Sequence, residues 1–585
     1  MSDAANILTA TRNALNELVH SPKKVEQEQK EPDALADAAK LQEKYGKTVI
    51  VFALVLFFFV LIKNAWLSDD TFITLRTVYN FVHGHGLTWN IDERVQTFTH
   101  PLWMFLLSGS YFFVRSIYFS SLLLSLSVSL LAVSIFVFRL APSRLVAIVG
   151  LTILAASKSF IDFSTSGLEN PLTHLLIVLF VLVFFQKQQS KRYLLWLSLL
   201  GCMMILNRMD TVLLFLPALI YAWYRASKPR LKALRTVILA FTPFIAWELF
   251  SLFYYGFLFP NTAYAKLNTG ISTGQLIKQG IVYLIGSSTF DPLLFIVIVS
   301  AVLLVVVLQD WKSIPLLLGM LLYIAYVMRV GGDFMAGRFL TPPFLMAVIL
   351  LVRNIPSSAK LLYAGIFLAV VLLGFLVPNS RWYVVNPSAQ FSDPRDPSGI
   401  IDEYDYYANA AALINFQRNV IMPNSPLTQA GLHEQLIHDK VVVFNAVGYF
   451  GYEAGPSVHV LDDLALGDPL MARLPLSPVE LTKWRIGHFQ RDIPPGYLET
   501  LETGTNMIQD PGLAQYYTKL HDVVSGPLFS WQRLLEIWKF NTGAYNSLLQ
   551  HYIQSLPSQS HVPRHFPFSA SDNLLAWVNR QMTRN

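Results

Sequence analysis

Long apolar blocks separated by short polar loops fill the sequence between residues 48 and 378. Blocks of this length are typical of helices that cross a lipid bilayer, whose hydrocarbon core is about 30 Å thick. The composition agrees, because 53% of the 585 residues are hydrophobic and only 14% are charged, against about a quarter in soluble domains. We therefore predict a polytopic α-helical membrane protein. Its single cysteine, Cys202, excludes an intrachain disulfide framework.

The charges of the loops predict how the chain crosses the bilayer. Every second loop is rich in Lys and Arg, and the positive-inside rule places these loops in the cytoplasm. Eleven spans result, with the N-terminus inside and the C-terminus outside, at residues 48–67, 118–138, 145–160, 171–186, 193–206, 211–224, 236–255, 292–308, 314–330, 340–352 and 361–378. The apolar segment 101–115 is an exception. At about 1.5 Å per residue it reaches only about 22 Å, so we expect a helix in the membrane interface.

This topology predicts three regions. Residues 1–47 form a polar cytoplasmic segment, and no signal-peptide cleavage site follows the first apolar block. Residues 48–378 form the transmembrane domain, whose large first outer loop is 68–117. Residues 379–585 contain no run able to span a membrane, and "KVVVF" and "VHVLD" predict two buried strands. We therefore expect a C-terminal extracytoplasmic domain of α/β or α+β type.

The first outer loop opens with two adjacent carboxylates, Asp69 and Asp70. A carboxylate beside lipid is costly unless it is solvated, paired or used. Each acidic residue alone is explained by a solvated loop, and Arg208 with Asp210 by a structural ion pair. Five outer loops with such groups nevertheless predict an outward-facing cavity. The other four are "SGLEN" with Glu169, "NRMD" with Arg208 and Asp210, "PNTAYAK" with Asn261 and Lys266, and "GGDFMAGRF" with Asp333 and Arg338.

These residue types indicate a particular chemistry. Carboxylates serve as a general base for a hydroxyl or as ligands of a metal ion. Lys266, Arg338 and Arg208 can neutralise a phosphate, lysine as a point charge and arginine as a fork. A lipid-linked phosphate would leave as a stable anion, which needs charge stabilisation more than a general acid. The set of groups therefore favours glycosyl transfer from a polyprenyl-phosphate sugar.

The motifs also carry a resemblance to a known family. In order, "DDTFITLR", "GHGLTWN", "SGLEN", "NRMD", "PNTAYAK", "GGDFMAGRF" and "WRIGHF" resemble the bacterial arabinofuranosyltransferases, integral-membrane glycosyltransferases of the GT-C superfamily. The resemblance spans about Ser68 to Pro495. It implies a polyprenyl-phosphoryl-arabinofuranose donor, an inverting single displacement, and catalysis on the outer face of a bacterial inner membrane during cell envelope biogenesis.

The resemblance further implies roles for individual residues. Asp69 is expected to be the general base, and Asp70 to support it by orienting a residue or the acceptor. Lys266, Arg338 and Arg208 are expected to contact the donor phosphate. The expected cavity residues are Arg76, His85, Glu169, Asp210, Asn261 and Asp333.

Several alternatives stay open. A divalent cation (Mg²⁺, Ca²⁺ or Mn²⁺) that bridges the acidic pair to the phosphate is compatible with oxygen ligands. We interpret His83 and His85 as part of a turn rather than as a metal pair. The acceptor is a glycan or a glycoprotein, the remaining partners are membrane lipids, and no nucleic acid is expected. A transporter or flippase of a lipid-linked sugar is the alternative function, although it should show inverted repeats that the sequence lacks.

Overall fold

The computed structural model describes residues 32–226, 229–267, 269–355, 359–377, 380–383, 398–437, 440–477 and 484–556, with side chains from residue 47 onward. The prediction for residues 1–31 lies outside this set. Before residue 378 the described chain is almost entirely helical. Its α-helices are α1 (Pro32–Lys63), α2 (Asp69–Val82), α3 (Pro101–Val114), α4 (Ile117–Ile135), α5 (Arg144–Ala156), α6 (Lys158–Asp162), α7 (Asn170–Gln186), α8 (Tyr193–Asn207), α9 (Val212–Arg225), α10 (Arg230–Ala240), α11 (Thr242–Tyr254), α12 (Asn261–Leu267), α13 (Thr273–Phe290), α14 (Pro292–Val307), α15 (Ile314–Arg329), α16 (Thr341–Asn354) and α17 (Lys360–Leu376).

Each of the eleven predicted apolar blocks contains a helix, but few of these helices reach the length of a membrane span. Among the described residues, Ile117–Leu140 is the one helix able by length and composition to cross a membrane alone; it consists of α4 and a π-helical extension. Two bent pairs, α10 with α11 (50°) and α13 with α14 (107°), raise the number to three if each pair is one span. Six shorter apolar helices have 10–17 residues. The eleven-span topology thus stays a prediction.

The segment interpreted as an interface helix forms α3. This helix has 14 residues and ends at Arg115, whose φ of 59° lies in the left-handed region. At about 1.5 Å per residue, 14 residues extend about 21 Å, less than the roughly 30 Å hydrocarbon core. This length does not separate α3 from the predicted spans, because α5 has 13 residues and α16 has 14, so the interface position stays a prediction.

After residue 398 the described chain alternates short helices, turns and one pair of strands. β1 (Val441–Val443) and β2 (His459–Leu461) pair in parallel, which confirms the two predicted strands. β2 is buried as predicted, whereas β1 is half-buried. The helices are α18 (Glu403–Ala411), α19 (Pro426–Ile437), α20 (Tyr449–Glu453), α21 (Tyr497–Thr503), α22 (Pro511–Val524), α23 (Trp531–Asn541) and α24 (Asn546–Ser555). The C-terminal region is thus mainly helical with a small sheet.

The C-terminal region packs directly on the loop 68–117, which the sequence analysis predicts to be the first outer loop. Phe72 of α2 meets the rings of Tyr449 and Tyr452 edge-to-face, at centroid distances of 4.9 and 5.5 Å. The Tyr449 hydroxyl donates to the Leu67 carbonyl at 2.6 Å. One apolar core continues through both regions. Residues that are hundreds of positions apart in the sequence therefore meet around the start of α2.

Candidate active site

The acidic pair lies at the first turn of α2. Ser68 precedes the helix in an extended conformation, and the negative charges of Asp69 and Asp70 face the positive end of the helix macrodipole. The Thr71 hydroxyl donates to the Ser166 carbonyl at 2.8 Å, which joins the start of α2 to the "SGLEN" loop. The local sequence thus fixes both carboxylates on a rigid helix end beside a second acidic motif.

The two carboxylates differ in their contacts. Asp69 is buried, and its oxygens accept hydrogen bonds from the backbone N–H of Tyr449 at 2.7 Å and of Gly448 at 3.2 Å. Burial raises the pKa of Asp69 to about 7, against the lowering effect of the Tyr449 N–H. A Cβ atom on residue 448 would lie 2.0 Å from the Asp69 carbonyl oxygen. Glycine at 448 is therefore needed for this close approach.

Asp70 has a different environment. Its side chain is partly exposed and forms no hydrogen bond or ion pair with any residue that the structure describes. Burial raises its pKa, the charges of Lys266 and Arg338 lower it, and those of Asp333 and Glu169 raise it again. The four charged residues that act on Asp70 all come from loops selected by the sequence analysis. The structure therefore brings these loops together.

Glu169 is the centre of a buried ion cluster. Its carboxylate, 0% exposed, accepts from Arg208 Nη1 at 2.5 Å and from Arg338 Nη2 at 3.2 Å. Burial would raise its pKa, but Arg338 and Arg208 outweigh that effect and hold the pKa well below its usual range. His100 Nδ1 lies 3.5 Å from the same carboxylate. Burial lowers the pKa of His100 to about 4 despite Glu169, so this imidazole is neutral at pH 7.

Both arginines expected at the donor phosphate already contact carboxylates. Arg208 forms a bidentate pair with Asp210, at 3.0 and 2.6 Å, besides its contact with Glu169. Arg338 Nη1 lies 3.5 Å from Asp333 Oδ2 as well as near Glu169. Three carboxylates thus face two guanidinium groups, and neither arginine brings uncompensated positive charge to a ligand.

Lys266 is the exposed cation of the set. It lies in the last turn of α12, and its ammonium group forms no hydrogen bond or ion pair with another described residue. Its charge acts on Asp70 and on His488. Of the three cations expected at a phosphate, Lys266 is the one whose charge is free to meet a ligand.

Sequence reasoning missed His100 and two further contributors to the site. Glu403, at the start of α18, is buried, and its pKa is raised well above the usual range by burial and by Asp70 and Asp69. His488 packs its ring against Phe334, next to Asp333, at 4.5 Å. The "WRIGHF" motif carried a signal for His488, although no role was assigned to it. Glu403 stands in a polar stretch, "IDEYDYY", that carries no motif.

Two expected cavity residues instead hold the two regions together. Arg76 is buried, and its guanidinium donates to the carbonyls of Trp89 at 2.8 Å and of Val458 at 2.7 Å, and to that of Gly451. Asn261 is also buried, and its amide donates to the carbonyls of residues 465, 466 and 468 at 3.0–3.1 Å. The polar atoms of both side chains therefore form hydrogen bonds within the protein.

The histidines of "HGHG" lie in an exposed turn. His83 stacks on Tyr79 with a centroid distance of 4.0 Å, and His85 stands between two glycines with φ of 85°. Only glycine adopts such a φ without strain, so the spacing agrees with the interpretation as a turn. Within the described ranges, no group of three or more His, Cys, Asp or Glu residues is arranged to hold a metal ion.

An acidic pair and a nearby exposed lysine thus lie close together on a mostly helical and apolar chain. No family model matches the chain, and no solved structure matches it. Two curated proteins are similar to it, and both are named terminal β-(1→2)-arabinofuranosyltransferase. The protein from Mycobacterium tuberculosis is 25% identical over 518 residues, covering 73% of this chain and 81% of the relative. The one from Corynebacterium glutamicum is 27% identical over 341 residues, covering 50% and 48%.

These matches confirm the resemblance that the motifs indicated. The protein is a membrane glycosyltransferase homologous to arabinofuranosyltransferases. Such an enzyme uses a sugar donor and a glycan acceptor.

Proposed function

We propose that the protein transfers D-arabinofuranose from a polyprenyl-phosphate donor to a glycan or glycoprotein acceptor on the outer face of the inner membrane. The observation that carries this proposal is the Asp70 carboxylate, which has no protein partner within the described chain and lies within the electrostatic reach of Lys266. A carboxylate without a protein partner can take a proton from an acceptor hydroxyl, and a nearby ammonium group can stabilise the phosphate that leaves.

The contacts support Asp70 as the residue that takes the proton. The resemblance assigns this role to Asp69, and burial raises the pKa of Asp69 to about 7. The oxygens of Asp69, however, already accept two backbone N–H groups, so they are less open to a substrate hydroxyl. Asp70 keeps all its lone pairs for a ligand. In this proposal Asp69 fixes the start of α2 against residues 448 and 449, and so positions Asp70.

Lys266 is the proposed contact of the donor phosphate. Its exposed ammonium group has no competing carboxylate within ion-pair distance in the described chain. Arg338 is not a direct phosphate contact in this proposal, since its guanidinium already faces the carboxylates of Glu169 and Asp333. A point charge suits a phosphate that gains negative charge as it leaves.

An apolar groove supports a lipid-linked donor. It has a volume of about 360 Å³, and two of its walls continue directly into the site. Pro101 follows His100, and Leu206 lies two residues before Arg208. An apolar groove at this position suits the hydrocarbon chain of such a donor. The groove is lined by Leu87, Pro101, Leu102, Phe105, Leu206, Pro243, Ala246, Trp247 and Phe250.

The reaction is a single displacement. The acceptor hydroxyl attacks the anomeric carbon as Asp70 takes its proton, and the new C–O bond forms while the bond from the anomeric carbon to the phosphate oxygen breaks. The bonding electrons leave with the polyprenyl phosphate, whose added negative charge faces Lys266. The configuration at the anomeric carbon is inverted. Asp70 then returns its proton to solvent.

The test measures transfer by the purified full-length protein in detergent. We would supply synthetic polyprenyl-phosphoryl-arabinofuranose with a panel of glycan and glycopeptide acceptors. Asp70→Asn should reduce turnover about 100-fold or more while donor binding and the melting temperature persist, because a general base typically contributes that much. If Asp69→Asn abolishes turnover at unchanged stability and Asp70→Asn does not, the base is Asp69, as the resemblance implies.

Lysine variants test the phosphate contact. Lys266→Ala should raise KM for the donor about tenfold or more, the usual value of a charged hydrogen bond. Lys278→Ala removes an exposed lysine from α13 and is the matched control. Failure of the wild-type protein to transfer any polyprenyl-phosphate sugar would contradict the proposal, and a flipping assay would then test the transporter alternative.

A further inference from the structure

Helix α23 buries two charged residues together with Ile537, and it exposes large apolar residues elsewhere. Arg533 and Glu536 are 1% and 3% exposed, whereas Trp531 and Trp538 are 79% and 63% exposed. Leu535 lies between the two tryptophans on the same side, because residues at spacings of four and three fall on one helical face. Phe529, just before the helix, is 86% exposed. We name Phe529, Trp531, Leu535 and Trp538 the exposed apolar face.

The buried side of α23 explains why the charges point inward. Glu536 lies 3.6 Å from Lys519 and 3.4 Å from Lys539, and it accepts a hydrogen bond from the Tyr545 hydroxyl. Arg533 donates to the Val523 carbonyl at 2.8 Å. Both buried charged groups therefore have partners within the protein, and the apolar face on the other side of the helix stays exposed.

Arg533 also fixes α23 to the end of an apolar helix pair. Its Nη1 and Nη2 atoms donate to the carbonyls of Phe253 and Tyr254, each at 2.8 Å. These are among the last residues of α11, the second half of a bent pair that passes the length and hydropathy requirements of a membrane span. Asn541 donates to the Gly256 carbonyl at 2.8 Å, just beyond the same helix end. The helix α23 is thus held where that helix pair would leave the bilayer.

Apolar side chains near this junction extend the surface. Leu258 and Phe259, which follow α11 directly, are 38% and 54% exposed, and the Phe253 ring contacts the ring of Phe529 at 5.5 Å. Tryptophan and phenylalanine are favoured at the boundary between lipid and water, where an amphipathic helix inserts its apolar face to the level of the headgroups.

We propose that α23 lies in the membrane interface, with its exposed apolar face inserted among the lipids of the leaflet at the end of α11. The C-terminal region would then rest on the bilayer as well as on the first outer loop. This proposal depends on the membrane location of the protein and on the geometry at the end of α11. It does not depend on the sugar, the acceptor or the identity of the base.

The test places a nitroxide spin label on the apolar face of the full-length protein. Cys202→Ala removes the single natural cysteine, and Leu535→Cys then supplies one exposed site on α23. Thr505→Cys, on an exposed polar turn of the same region, is the matched control. Both proteins would be reconstituted into vesicles of phosphatidylethanolamine and phosphatidylglycerol. Collision rates of the label would be measured with oxygen, which concentrates in lipid, and with a water-soluble nickel chelate.

The expected result is an oxygen-to-nickel collision ratio that is severalfold higher at position 535 than at 505. Equal ratios would place the helix in water and overturn the proposal. Low collision rates with both reagents at 535 would show that protein covers the face, which also overturns it.

Tryptophan fluorescence gives a second measurement that needs no cysteine variant. Brominated lipids should quench the wild-type protein more strongly than the Trp531→Phe/Trp538→Phe variant, because those two indoles lie in the lipid. Equal quenching of the two proteins would contradict the placement.

Discussion

At the scale of single residues, two carboxylates that are adjacent in the sequence, Asp69 and Asp70, have different environments in the site. Asp69 is bound by the protein, through two backbone N–H groups, and Asp70 is not. The difference arises from the direction of each side chain at the first turn of α2. Neighbouring residues on a helix point about 100° apart, so one can face the C-terminal region while the other faces Lys266.

Glu169 should stabilise the fold in a way that depends on pH. Because its pKa is lowered from about 4.5 in the folded protein, its contribution is complete above that value and is lost as the pH falls through the lowered pKa. Glu169→Gln would leave Arg208 and Arg338 with less negative charge. We expect it to reduce the free energy of unfolding by about 3 kcal/mol at pH 7, the order found for broken buried pairs.

Thermal unfolding of the two proteins in detergent, across a pH series, checks this expectation. The difference between wild type and Glu169→Gln should shrink as the pH falls below the ordinary glutamate value. Glu502→Gln alters an exposed carboxylate and serves as the control. A difference that stays constant from neutral to acidic pH would argue against the ion cluster.

The sequence could predict the charged residues of the Glu169 cluster but not which of them pair with one another. Glu169, Arg208, Asp333 and Arg338 each stood in a short polar motif between apolar blocks, which is a strong signal in a chain with few charges. Their pairing depends on how three loops meet in space, which spacing along the chain does not determine. The two hydrogen bonds to Asp69 could not be predicted for another reason. Their donors are backbone N–H groups, which every residue except proline possesses.

At the scale of elements, the contact between α2 and α20 is the most sensitive to a single atom. Gly448→Ala would place a Cβ 2.0 Å from the Asp69 carbonyl oxygen and 2.5 Å from its Cγ. Backbone at such a distance must shift, so we expect a lower melting temperature and loss of transfer together. Gly365→Ala, whose added Cβ meets nothing within 4 Å in the middle of α17, should be neutral or slightly stabilising.

Melting temperature and transfer rate, measured on the same preparations, check this pair of variants. Full activity of Gly448→Ala would show that α20 does not position the acidic pair.

At the scale of elements, the long apolar blocks of the sequence correctly predicted the helices before residue 378. The lengths of the individual helices could not be predicted, since bends such as the 107° break before Pro292 leave little trace in the hydropathy pattern.

At the scale of the whole molecule, a buried ionic network ties the end of the apolar helices to the C-terminal region. Arg381, 1% exposed, donates to Asp162 at 2.7 and 2.9 Å, to Asp402 at 2.9 Å and to Asp405 at 3.0 Å. Lys158 lies 3.8 Å from Asp402. The network joins α6, the segment after α17 and the start of α18, and so fixes three parts of the chain to one another.

Arg381→Gln should therefore destabilise the whole protein. Removing the guanidinium leaves buried carboxylates facing one another, and the expected loss is about 3–5 kcal/mol. Lys63→Gln changes a nearby, less buried cation whose one hydrogen-bond partner among the described residues is the Trp382 carbonyl, and it should cost far less. Melting temperature and monodispersity in detergent would be compared, and equal behaviour of the two variants would contradict the role of the network.

The bond between Asp69 and Tyr449 also affects the timing of biosynthesis. The two residues are 380 positions apart, and a ribosome that adds 5–20 residues per second takes roughly 20 to 80 seconds to cover that distance. During this interval the newly inserted first loop lacks the backbone groups that hold its acidic pair. A nascent chain therefore lacks an assembled acidic pair until residues 448 and 449 have been made.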